Sequence, residues 1–237
     1  MLDFENFEFL TEAKSQRISG TKKKRKCIVF TDVCKSSELW TDGGASMFKA
    51  ILKHEEQIFR IAGKYNGTIV KSIGDAYMLS FDSLEDGINF TIELQSEKPI
   101  KVGDSGKIEL RIGICYGDVY EHETARQGKT LLDYFGNTVN TASRLESKVS
   151  GVGGFAFGFQ SKISKSEKQS ILKLMDEKCK SYKEYDYSDN KEVSEKRKRS
   201  GRLLNDAQNY IHRSINNLNG VDEIFVYKVD KVSNSKK

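Results

Sequence analysis

The sequence predicts an α+β domain built on an antiparallel sheet, and three observations carry that prediction. Short apolar runs of strand type recur at residues 27–32, 76–81 and 108–115. Two segments with apolar residues at helical spacing fall between them, and the turn signals Asn66-Gly67 and Ser72-Ile-Gly-Asp75 bracket a hairpin between the two helices. With 237 residues and a hydrophobic fraction of 37%, the chain is long enough to bury one substantial core.

Residues 1–20 read as a polar leader whose apolar residues are Phe4, Phe7, Phe9 and Leu10. The first strand, Cys27-Ile-Val-Phe-Thr-Asp32, is followed by a turn at Ser36-Ser37 and a helix over 44–62, with Met47, Ile51, Ile58 and Ile61 inward and Gly63 at its end. Thr68-Ile-Val-Lys71 and residues 76–81 form an antiparallel hairpin with Asp75 near its turn. A second helix over 84–95 uses Leu84, Ile88, Ile92 and Leu94, and the single proline, Pro99, opens the loop before a fourth strand at 108–115. The order strand, helix, strand, strand, helix, strand is the split ferredoxin-like arrangement, a palm with both helices on one face and the other face open to a ligand.

Beyond the palm, residues 117–129 read as a polar hairpin or arm, and residues 136–148 as a third helix with Val139, Ala142 and Leu145 inward. Its opposite face carries Asn140 and Arg144, one helical turn apart and able to reach one ligand. Residues 161–210 are a Lys-rich insertion with a helical patch at Ile171, Leu172, Leu174 and Met175 and a mobile stretch expected near 181–200. Residues 224–229 regain strand character and are expected to rejoin the sheet. The organisation is therefore a leader, one domain over 21–230 holding the insertion, and a polar tail over 231–237.

Composition narrows the function. The net charge of +5 comes largely from two clusters, Lys22-Lys-Lys-Arg-Lys26 and Lys196-Arg-Lys-Arg199, without aromatic residues to stack bases, so they read as solvated flanks and nucleic-acid binding is not expected. Cys27, Cys34, Cys115 and Cys179 form no C-x-x-C pair, and His54, His122 and His212 show no metal-ligand spacing. No run approaches the ~20 apolar residues of a transmembrane helix, and the start lacks the pattern of a secretion signal, so a soluble cytoplasmic protein is expected.

The chemistry begins with Asp32 and Asp75, each beside a strand. If neighbouring strands bring these carboxylates together, their repulsion is relieved by a hard cation such as Mg²⁺, which also accepts phosphate oxygens. Two such ions about 3.5 to 4 Å apart clamp the attacking and leaving oxygens of a displacement at phosphorus. Taken singly, either aspartate is an ordinary turn residue.

Four segments extend that signal: Phe30-Thr-Asp32-Val-Cys-Lys-Ser-Ser, Val70-Lys71-Ser-Ile-Gly-Asp75-Ala-Tyr-Met, Arg111-Ile-Gly-Ile-Cys-Tyr-Gly-Asp118 and Asp133-Tyr-Phe-Gly-Asn-Thr-Val-Asn140-Thr-Ala-Ser-Arg144-Leu-Glu146. Together, and in this order, they resemble the catalytic domain of class III nucleotidyl cyclases of adenylyl type, over about residues 24–160 and more weakly over 215–230. The resemblance implies that the ribose 3′-hydroxyl of ATP attacks its own α-phosphorus, giving 3′,5′-cyclic AMP and pyrophosphate. It implies two Mg²⁺ or Mn²⁺ ions per site on Asp32, Asp75 and the backbone carbonyl of Val33, with Arg144 stabilising the α-phosphoryl group and Asn140 orienting the ribose.

Lys71 and Asp133 fall where this family reads the base. A lysine donates to adenine N1 and a carboxylate accepts from its N6 amino group, whereas guanine reverses that pattern. The resemblance also implies a head-to-tail homodimer, with metal aspartates from one protomer and base, ribose and phosphoryl contacts from the other. One departure stands out: where the family often has Leu-Lys-Gly, with a lysine on the terminal phosphates, this chain has Leu218-Asn219-Gly220. Two other readings are a cyclase with another base preference, for GTP or a pyrimidine triphosphate, and a silent nucleotide-binding partner of another cyclase. The intact set of six side chains argues against silence.

Overall fold

The computed structural model describes residues 22–104, 106–126, 129–160, 163–186 and 224–232. β1 (Lys22–Val33) leads into α1 (Ser36–Lys64), the hairpin β2 (Thr68–Ile73) and β3 (Ala76–Phe81), and α2 (Leu84–Ser96). A two-residue pair, β4 (Lys101–Val102) with β5 (Gly106–Lys107), precedes the long β6 (Leu110–Arg126). Across the sheet these strands lie in the order β2-β3-β1-β6, every neighbour antiparallel, which is the ferredoxin-like palm that the alternation of strands and helices predicts.

The rest of the chain widens this palm. β7 (Lys129–Phe135) returns along the far end of β6, and α3 (Asn137–Arg144) continues into a π-helical turn over Leu145–Val149. β8 (Phe155–Gln160) pairs with β6 in parallel. α4 (Lys165–Lys178) and β9 (Cys179–Asp186) follow, and β10 (Ile224–Val232) inserts between β8 and β9, rejoining the sheet as its composition predicts. The fold class is thus α+β, with one parallel pair among the added strands.

Four expectations need correction. α1 begins at Ser36, where a turn is predicted, and residues 36–43 are helical before a kink at Gly44 with φ 40° and ψ −112°. The fourth strand, expected to end at 115, runs on to Arg126, where it forms with β7 a hairpin in the segment expected to be a polar hairpin or arm. The expected mobile stretch includes residues 181–186, which belong to β9, while residues 187–200 lie outside the described residues. The face opposite α1 and α2 is also not open along its length, since α3 and the π-helical turn pack on β6 there.

Strand alternation gives the sheet two faces with separate cores. Cys27, Val29, Leu79, Phe81, Ile112, Ile114, Phe155, Phe157 and Phe159 pack with Ile58 and Ile61 of α1 and with Ile88 and Phe90 of α2. Burying each large side chain contributes roughly 1.5–3 kcal/mol, so this face supplies most of the driving force. The second face is smaller, joining Ile28, Met78, Cys115 and Ala156 to Tyr134, Ala142, Leu145 and Val149. All four cysteines are buried thiols, in keeping with apolar roles. Among the described residues no helix is long and apolar enough to cross a membrane.

Candidate active site

The β1–β3 register brings the two aspartates to one end of the sheet. The last pair is Thr31 with Tyr77, so one step further sets Asp32 beside Ala76, the residue after Asp75. Gly74, at φ 65°, makes the β2–β3 turn that a β-carbon would strain. Asp75 Oδ2 is buried without a hydrogen-bond partner, a costly state for a carboxylate oxygen and the kind that a cation would relieve. Among the described residues no three His, Cys, Asp or Glu side chains are grouped to hold a metal. An ion here would therefore rest on two carboxylates and the Val33 carbonyl, completed by water or phosphate, a donor set suited to Mg²⁺.

Lys71 and Asp133 come together on the second face. Lys71 lies opposite Met78 at the β-bulge in β2, and Asp133 lies opposite His122 on β7. The Lys71 ammonium donates to both carboxylate oxygens, at 2.8 and 2.7 Å. Tyr134 N–H also donates to Asp133 Oδ1 at 2.8 Å, fixing the carboxylate against its own strand. The next side chain anchors the strand: the Tyr134 ring is buried against Ile28 and Met78, and its hydroxyl donates to Glu121 Oε2 at 3.1 Å. A donor and an acceptor thus stand side by side, half-exposed, on a rigid support.

α3 carries Asn140, which is exposed, and Arg144, which is half-buried; of the residues predicted inward, Ala142 and Leu145 are buried and Val139 is partly buried, and Thr138 and Thr141, not predicted inward, are buried as well. Its close seat on the sheet depends on Gly113. A β-carbon there would lie 2.1 Å from Glu146 N and 2.3 Å from the Ala142 carbonyl oxygen, so only glycine lets the helix approach β6 this closely. Thr138 Oγ1 donates to the Asp118 carbonyl at 2.7 Å, and Ile112 N–H donates to Ser150 Oγ at 3.1 Å, tying both ends of α3 and the π-helical turn to β6.

Sequence reasoning assigns no role to two further residues, Arg111 beside Asp32 and Glu146 beside Arg111. Arg111 is the register partner of Asp32 on β6, and Arg111 Nη2 donates to Asp32 Oδ2. Glu146 Oε1 lies 3.2 Å from Arg111 Nε without the alignment of a hydrogen bond. Burial pushes the Glu146 carboxyl up to about 7, with Arg111 opposing that rise and Asp32 adding to it. Both residues lie inside the quoted motifs, but their meeting depends on the β1–β6 register and on α3 resting over Gly113. A charged residue beginning the apolar run Arg111-Ile-Gly-Ile is the only local signal.

The basic run at the start of β1 proves to be a paired flank. Lys23 lies 2.9 Å from Asp118, Lys24 2.5 Å from Glu121, and Lys26 pairs with Asp82. His54 is likewise structural: it is 1% exposed, edge-on to Tyr77, and burial pulls its pKa down to about 4.

The family model for the adenylate and guanylate cyclase catalytic domain matches residues 19–154, more than half of the chain and the span that holds all of these side chains. The chain belongs to this family. An adenylate cyclase of Podospora anserina is 28% identical to this chain over 144 residues, covering 52% of this chain and 7% of that protein. The adenylyl cyclase CyaB from P. aeruginosa matches with a TM-score of 0.54 at 18% identity, covering 92% of this chain and 98% of that one. The guanylate cyclase domain of RhGC from Catenaria anguillulae, in complex with GTP, matches with a TM-score of 0.55 at 18% identity, covering 90% and 100%. At such identities the structural likenesses show the fold. The matches span only 6 to 13% of the length of four curated relatives. Leu218-Asn219-Gly220 and the second basic cluster, at residues 196–199, lie outside the described residues.

Proposed function

We propose that this cyclase domain acts on ATP, forming 3′,5′-cyclic AMP and pyrophosphate at a site shared by two copies of the chain. The observation that carries the reading is the pair of Lys71 and Asp133, an ammonium held at 2.8 and 2.7 Å from both oxygens of one carboxylate. With adenine present, Lys71 donates to N1 and Asp133 accepts from the N6 amino group. Guanine offers N1–H and O6 instead, leaving both groups mismatched, and a mismatched buried polar contact discriminates strongly.

In the reaction the 3′-oxygen forms a bond to the α-phosphorus, the bond from that phosphorus to the bridging oxygen breaks so that pyrophosphate leaves, and the hydroxyl proton passes to water. Asp32, Asp75 and the Val33 carbonyl would hold Mg²⁺ or Mn²⁺, in keeping with the unpartnered Asp75 oxygen. Divalent ions bound there lower the pKa of the hydroxyl and neutralise the triphosphate. The Arg144 guanidinium, always protonated, stabilises charge developing on the α-phosphoryl oxygens. Asn140, on the same helical face, hydrogen-bonds the ribose and aims its 3′-oxygen in line with the leaving group. Support for a second copy comes from apolar side chains left exposed: Ile73 beside the Asp75 turn is 61% exposed, and Tyr120 and Phe135, paired across β6 and β7 near the start of β1, are 52% and 53% exposed. A head-to-tail homodimer covers them and completes the site.

Purified protein with Mn²⁺ or Mg²⁺ should convert ATP to cyclic AMP and pyrophosphate faster than it cyclises GTP, CTP or UTP. Equal or greater turnover of another triphosphate overturns the base assignment, and no turnover of any triphosphate overturns the enzymatic reading.

A further inference from the structure

We propose that Arg111 is a positioning residue that holds Asp32 while no divalent ion is bound and passes to Glu146 when one binds. The inference rests on the reading of Asp32 as a metal ligand. Arg111 and Asp32 are direct partners across β1 and β6, and the guanidinium hydrogen-bonds Asp32 Oδ2, an oxygen that an ion would need. The two aspartates are therefore unlike. Asp75 has a buried oxygen with no partner, whereas Asp32 already carries a cation belonging to the protein.

Two positive charges cannot share Asp32 cheaply within a few ångströms, so an arriving ion displaces the guanidinium. Glu146 is placed to receive it. Its Oε1 lies 3.2 Å from Arg111 Nε yet has no aligned hydrogen bond, so a small rotation of the guanidinium gains a bond there as the one to Asp32 is given up. Glu146 is 9% exposed, and its backbone is pinned over Gly113, so the acceptor stays in place while the arginine moves. Arg111 thus competes with the ion, and Glu146 weakens that competition.

The two substitutions should then shift metal affinity in opposite directions. Mn²⁺ binding to the full chain without nucleotide, followed by the electron paramagnetic resonance of free Mn²⁺, reads this independently of turnover. Arg111→Gln removes the competitor and should tighten Mn²⁺ on the order of tenfold, while Glu146→Gln leaves the guanidinium on Asp32 and should weaken it by a similar factor. The double variant should follow Arg111→Gln, because without the arginine the acceptor has nothing to receive. Arg111→Lys, charged but without the fork that spans both acids, should bind Mn²⁺ more weakly than Arg111→Gln, and it serves as the second probe if that variant melts early. If Arg111→Gln binds Mn²⁺ no more tightly than wild type while Asp32→Asn loses it, the metal assignment stands and the exchange is wrong. If Asp32→Asn binds Mn²⁺ as wild type does, the assignment falls and the exchange with it.

Discussion

The two faces of the sheet solve opposite problems. Between the palm and the two long helices, Phe81, Phe90, Phe155, Phe157 and Phe159 are each buried to within 2% of full cover, and the contacts are those of a close-packed interior. On the other face a glycine replaces bulk so that α3 can approach, and the side chains that matter are Asp32, Lys71, Arg111, Asp133 and Glu146, charged groups held against one another. The same strands build both faces, since alternate residues of β1 and β6 point to opposite sides. One face supplies the stability that lets the other keep its charges partly buried.

That division can be broken from either side. Phe157→Ala should cost about 3–5 kcal/mol of stability, read from denaturant midpoints, while turnover per folded molecule stays near wild type. Arg144→Ala should do the reverse, lowering kcat by about 10²–10³ with little change in the midpoint. An Arg144 variant that is strongly destabilised but otherwise active would erase the distinction.

A smaller effect tests the packed face through the buried imidazole of His54. His54 has its pKa pulled down to about 4 by burial, below its ordinary value near 6.5. Between those values the unfolded chain binds the proton and the folded one does not, so stability falls as pH drops from about 6.5 toward 4, by up to about 3 kcal/mol. Equilibrium unfolding across that range should show a slope that Glu or Asp titration alone does not give, and His54→Gln should flatten it.

The palm is readable because its signals are local. Alternating or helical spacing at Cys27, Met47, Leu84 and Ile112, with Asn66-Gly67 and Gly74 as turns, determines each element from within about a dozen residues. Where tertiary packing decides, the local signal fails. The turn expected at Ser36-Ser37 and the helix expected from 44 give way to a helix from Ser36 with a kink at Gly44. Phe155-Ala-Phe-Gly-Phe has a clear alternation but gains its place as β8 from pairing with β6 and β10, the former a contact across 43 residues for Ile112 and Phe155. The candidate site divides the same way. Lys71, Asp75, Asp133, Asn140 and Arg144 stand in recognisable motifs, whereas the meeting of Arg111, Asp32 and Glu146 exists only once the register and the seat of α3 are set.

The central claim, that the charged face works as half of a site completed by a second copy, is tested most directly by mixing two inactive variants. In the proposed dimer Asp32→Ala would lack the metal side and Arg144→Ala the phosphoryl side, so a mixed dimer would have one intact composite site and one doubly broken one. Cyclic AMP formation from ATP should return in the mixture to a fraction of the wild-type rate, well above either variant alone. A mixture no more active than its components, under conditions where the two chains exchange, would contradict the account.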